Sequence, residues 1–174
     1  MSSKQVIGVT LKTDGEKQFK QNISHCNRAL KTMQSEMSLV KEKTAGQANT
    51  LESLRQKHSV LEKTLDKYKE KQSEIRKGLS ESENTHNQLG KALDDHRKKL
   101  SDAEEELDKM KNSTTASNEE IEKQEKYIES LKKELQQGEE AYRATGNRVE
   151  DWQKQLNTAE AQVIKATRAV DENN

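Results

Sequence analysis

The chain has 174 residues, of which 29% are hydrophobic, 3% aromatic and 36% charged, and its 31 Lys and Arg balance its 31 Asp and Glu. That leaves too little apolar surface for an ordinary globular core, gives no sustained basic face for nucleic acid, and argues against a tail extended by net charge. A single cysteine and the absence of any CxxC pair exclude a disulfide scaffold and a zinc ribbon, and the lack of proline favours uninterrupted helix.

At the N-terminus, Ile7, Val9 and Leu11 alternate with Gly8, Thr10 and Lys12, which is strand spacing, and Asp14-Gly15 is a turn signal. A lone strand is not stable in water, so residues 1–15 are expected to fray or to pair with another protein or another copy. The start contains no apolar stretch long enough for a signal-peptide core, and no run reaches membrane-spanning length, which predicts a cytoplasmic origin. Thr13-Asp14-Gly15-Glu16 has the form of a capping box and predicts the helix start.

From Phe19 to Val170 one heptad frame is sustained. With Phe19, Cys26, Met33, Val40, Leu54, Leu61, Ile75, Leu89, Met110, Leu131 and Trp152 on d, residues such as Ile23, Leu30, Leu51, Leu79, Leu93, Leu107, Ile121, Ile128, Leu156 and Val170 fall on a. A sustained 3.5-residue period under-winds a helix and keeps one narrow apolar seam towards a partner. The expected fold is all-α: a long extended helix forming a parallel coiled coil, preceded by a short strand-like or extended segment. Its divisions are an extended segment at 1–15, a first coiled-coil segment at 16–111, a polar interruption at 112–118 and a second coiled-coil segment at 119–174.

Two polar tracts test that continuity, Thr44 to Thr50 and Asn112 to Asn118, the second ending in a further possible capping box from Ser117 to Glu120. Antiparallel helices joined at these places are the alternative. The phase favours a continuous helix, because Val40 to Leu51 and Met110 to Ile121 are both spaced by one heptad plus four. Such a helix would extend on the order of 230 Å at about 1.5 Å per residue. Charge pairs beside the seam do not decide direction: Lys99/Glu104 and Glu106/Lys111 attract in a parallel pairing, whereas Lys71/Arg76 and Glu134/Glu139 repel. Leu-rich a positions with mixed d positions leave the strand number open between dimer and trimer.

Few residues suit chemistry. His58, His86 and His96 fall on the seam, where copies meeting at an axis would form either a metal or pH-responsive site or a tolerated polar layer. No Asp, Glu or Cys on the seam completes a metal site, so a mild weakening of association at low pH is the expectation. Gln47, Gln72, Gln124, Ser82, Ser117, Thr44, Thr114 and Thr145 are further polar seam residues, expected to fix register at some cost in stability. Cys26 on d reads as a small buried hydrophobe, and His25 points to a different helix face, which argues against a nucleophile–base pair. Phosphate loops, dinucleotide fingerprints and metalloprotease motifs are absent. The expectation is a non-enzymatic protein with no catalytic, cofactor or metal residues, and the aromatic-poor seam does not suit a membrane surface.

The segment Val6-Ile7-Gly8-Val9-Thr10-Leu11-Lys12-Thr13-Asp14-Gly15, followed by Glu16-Lys17-Gln18-Phe19-Lys20-Gln21-Asn22-Ile23, resembles the N-terminus of phage tail tape measure proteins. The interruption around Asn49-Thr50-Leu51-Glu52 is similar to one recurring early in many of them. The resemblance covers roughly the first hundred residues and implies a multi-copy helical rod, acting as ruler and scaffold for tail length in a phage tail or tail-like particle. It implies tail tube protein, tail assembly chaperones and tail-tip or baseplate proteins as partners. Its place would be the host cytoplasm during assembly and then the tail lumen. The alternative is a cytoplasmic coiled-coil scaffold or adaptor unrelated to phage.

Overall fold

Asn, Ser, Thr and Gly compete with the helix by bonding their own backbone or by adopting positive φ, and the two polar tracts are where the chain leaves helix. The computed structural model describes residues 3–12, 14–47, 50–113 and 115–173. Its elements are β1 (Ser3–Val6), β2 (Val9–Lys12), α1 (Asp14–Lys43), α2 (Leu51–Lys111) and α3 (Asn118–Asp171). The fold is all-α apart from the two short strands. The chain forms two compact units, one of Met1–Thr13 with Glu81–Val149, the other of Asp14–Ser80 with Glu150–Asn174.

Both tracts reverse the chain, so three helices stand in place of one continuous rod. After α1, Gly46 adopts φ +85 and Gln47 N–H donates to the Thr44 carbonyl at 2.9 Å. This left-handed residue past the helix end satisfies the geometry of a helix stop. Thr50 Oγ1 then accepts from Ser53 N–H at 3.2 Å and caps α2. In the second tract Ser117 and Glu120 form a reciprocal box: Ser117 N–H donates to Glu120 Oε2 at 2.8 Å, and Glu120 N–H to Ser117 Oγ at 3.3 Å. The proposed box at Thr13 lies outside the described residues, as does Thr114.

In the first unit the direction is read from pairs that converge on the second tract. Lys132 meets Glu104 at 2.8 Å, Lys111 meets Glu125 at 2.7 Å, and Arg97 meets Glu139 at 2.9 Å. Advancing along α3 means retreating along α2, which is antiparallel pairing. The parallel pairing expected of the frame is therefore not how the seam is used within this chain: Ala103, Ile128 and Leu131 form a buried cluster, with Leu100 and Leu107 packed against it. Layers of a and d close in either direction, so a frame in constant phase is compatible with the reversal.

The first unit also holds the N-terminal hairpin. β1 and β2 pair antiparallel, from Ser3 opposite Lys12 to Val6 opposite Val9. The strand-like segment thus pairs within its own chain, with the preceding residues, and the turn lies at Ile7-Gly8 instead of Asp14-Gly15.

In the second unit α2 has two partners. Gln72 and Arg76 reach Glu160 of α3, at 3.4 and 2.9 Å, while Glu74 accepts from the Asn22 amide of α1 at 2.7 Å. Two partners require two contact faces. Ile75 and Leu79 are buried on the heptad seam, and Ser53, Val60 and Glu74 are buried on a second stripe, spaced by multiples of seven.

Candidate functional site

The side chains with chemistry to offer lie in polar layers inside these helix pairings. In the first unit, Thr145 is 1% exposed and its hydroxyl donates to the Tyr142 carbonyl at 2.8 Å. With that proton used, the oxygen can only accept from His86 Nδ1, 3.0 Å away, which selects the tautomer protonated at Nδ1. The imidazole also stacks on the Tyr142 ring, with centroids 4.0 Å apart and planes 18° apart. A few turns away His96 Nε2 lies 2.9 Å from Glu134 Oε2. The His96 hydrogen bond is the main cause that holds the Glu134 carboxyl below its ordinary range. Gln124 closes a further layer by donating to the Ala103 carbonyl at 3.0 Å.

In the second unit His58 Nε2 lies 3.4 Å from Glu62, and its Nδ1 is buried with no hydrogen-bond partner among the described residues. Thr44 is buried and turns its hydroxyl onto the Val40 carbonyl at 2.7 Å. Cys26 is fully buried. Burial first, and the Glu70 carboxylate second, push its thiol up. His25 is exposed and turned away from that buried sulfur, whose hydrogen-bonding neighbour is the Glu70 carboxylate.

The three seam histidines therefore sit in separate layers, facing Glu62, Thr145 and Glu134, and not one another. Among the described residues, no group of three or more His, Cys, Asp and Glu side chains could hold a metal ion. No helix is long and apolar enough to cross a membrane, again among the described residues. The His86–Thr145, His96–Glu134 and Gln124–Ala103 contacts fix partners: each is a directional hydrogen bond between two helices in an otherwise non-directional seam, which penalises a shift of one helix along the other, whereas the His58 and Thr44 contacts lie within one stretch of chain.

The sequence places Gly138 on d, where it thins the seam, but does not reveal the close approach of other side chains to four helical glycines. Cβ atoms at Gly78, Gly90, Gly138 and Gly146 would meet Trp152 at 2.8 Å, Tyr142 at 3.3 Å, Ile7 at 2.8 Å and His86 at 3.3 Å. Gly78, Gly90 and Gly146 thus each receive one ring from a facing helix, and Gly138 receives two side chains, Ile7 of the hairpin and Leu93 of α2. The signal available in the sequence was four glycines within helical pattern and a handful of rings, but pairing them requires the chain direction.

No protein-family model matches the chain, and no match is found among curated proteins or solved structures.

Proposed function

We propose that this chain is a structural helical protein, without catalytic residues, that acts as ruler and scaffold in a phage tail or tail-like particle, as the resemblance of its N-terminal region to tape measure proteins implies. One observation carries the reading. The frame passes both reversals in phase, with eleven residues from Val40 to Leu51 and eleven from Met110 to Ile121. A seam that closes on itself in the folded chain would, with both turns straightened, become one continuous seam for a parallel coil of two or three copies. The polar layers suit such a change, because they hold register while limiting how tightly the folded form is held. Tail tube protein, assembly chaperones and tail-tip or baseplate proteins are the proposed partners, in the host cytoplasm and then in the tail lumen.

The test is tail length. Deleting whole heptads from α2 or α3 in the assembling particle should shorten tails by about 10 Å per heptad, read by electron microscopy. Unchanged tails would overturn the ruler reading.

A cytoplasmic coiled-coil scaffold or adaptor is the second reading. It is favoured by the burial of Ile75, Leu89, Leu93, Leu131 and Trp152 without a second copy. Mass measurement in solution separates the two: a stable monomer at all concentrations supports the adaptor, and a concentration-dependent multimer supports the ruler.

A further inference from the structure

Two residues of the first unit are each unsuited to their own position. Ile7 and Gly8 form the two-residue turn of the β-hairpin with φ +46 and +78. Positive φ at both central positions is the type I′ pattern, which favours Asn or Gly first and disfavours a β-branched residue. Gly138 stands at a d position of α3, where the frame calls for a large apolar side chain.

The two irregularities meet. A Cβ on Gly138 would lie 2.8 Å from Ile7 Cδ1, 3.2 Å from Ile7 Cγ2 and 2.9 Å from Leu93 Cδ2 of α2. Ile7 thus occupies the space that a side chain at 138 would take, beside Leu93, which is 3% exposed, while neighbouring Val6 is 5% exposed. Strained backbone of this kind persists only where its surroundings over-determine it, and here the notch does so. Two strands of four residues are marginal alone, so the hairpin needs the notch as the notch needs a filler.

We propose that the N-terminal β-hairpin is a latch: Ile7 supplies the side chain missing from the Gly138 layer and keeps α2 and α3 closed there, and its withdrawal opens that layer first. The latch is a property of the isolated chain and stands or falls apart from the ruler reading, whose test is tail length.

Hydrogen exchange on the full chain, read by mass spectrometry, tests it with two substitutions. Ile7→Asn gives the hairpin a favoured Asn-Gly turn but removes the aliphatic plug. Amides in residues 89–97 and 134–142 should then exchange at least tenfold faster, while those in 60–75 keep their wild-type rates. Gly138→Leu gives α3 its own d side chain and leaves Ile7 no seat. Hairpin amides in residues 3–12 should exchange at least tenfold faster, while 89–97 and 134–142 stay protected. Wild-type rates at 89–97 and 134–142 in Ile7→Asn, or a hairpin still protected in Gly138→Leu, would overturn the latch. If Gly138→Leu disturbs the helices, Ile7→Asn decides alone, since residue 7 lies outside every helix.

Discussion

The indole of Trp152 lies against the Cα of Gly78, so closely that a Cβ there would stand 2.8 Å from Trp152 Cζ2 and 2.9 Å from Cε2 and Cη2. These are atoms of a rigid ring that is itself only 3% exposed, so the ring has little room to yield. Gly78→Ala gains about 1 kcal/mol of helix propensity but incurs overpacking of roughly 1–3 kcal/mol. A net loss of about 1 kcal/mol is expected, together with a change in indole fluorescence. Denaturant titration followed through this single tryptophan reads both. A more stable Gly78→Ala protein with unchanged fluorescence would show that the notch does not constrain the ring.

The His86–Thr145 layer makes a second prediction. Thr145→Val keeps the shape of the side chain but leaves His86 Nδ1 facing a methyl group. Both hydrogen bonds of the hydroxyl are lost, to His86 and to the Tyr142 carbonyl, which should cost about 1–2 kcal/mol, and Thr145→Ser should recover most of it. Urea midpoints of the three proteins check this; equal midpoints would mean that His86 finds another partner at no cost.

The sequence made the buried set legible because burial follows the period. Ile23, Cys26, Leu30, Leu79, Leu89, Leu131, Trp152 and Leu156 are all seam residues and all are buried. Direction was not legible, since identical a and d layers close in parallel or antiparallel, and the phase across the tracts carried no information about reversal. The second face of α2 was hidden for another reason: Ser53, Val60 and Glu74 recur at multiples of seven, yet a serine and a glutamate do not read as core. The frame also fails at one end, where Leu51 occupies an a position but is 64% exposed in the first turn of α2. The hairpin escaped because a turn at Ile7-Gly8 contradicts residue preference, and only the Gly138 notch explains it.

Acid should weaken the fold through carboxylates. Glu74 is held below the ordinary carboxylate range, first by the Asn22 amide at 2.7 Å and then by Lys77 at 2.6 Å. A depressed folded-state pKa contributes stability above the unfolded carboxylate range, about pH 4–5, and that contribution is lost as pH falls through the folded value. The shift at Glu134 has the same sign. Thermal midpoints should therefore fall steadily below about pH 5. Glu74→Gln should be less stable than wild type at pH 7, by about 1 kcal/mol, and should lose less between pH 5 and pH 3. Parallel slopes for the two proteins would remove Glu74 from the acid response. Repulsion between like histidines, expected for an axis of copies, has no counterpart inside the chain, where each seam histidine faces Glu62, Thr145 or Glu134.

Cys26 distinguishes the folded chain from the extended coil. On a parallel, in-register coil two d-position sulfurs would meet and oxidise to a linked dimer, whereas here the thiol is fully buried in the second unit beside Glu70. Burial and the neighbouring carboxylate both disfavour the thiolate, the form that attacks a disulfide reagent. In native buffer the thiol should react at least tenfold more slowly than in denaturant, and mild oxidation should leave the chain uncrosslinked. Reaction with an aromatic disulfide reagent, followed by absorbance and by non-reducing electrophoresis, gives both readouts. Rapid formation of a Cys26-linked dimer with helicity retained would mean that α1 offers its seam to a second copy instead of to α2. That outcome would also favour the opened coil over the folded chain as the dominant form in solution.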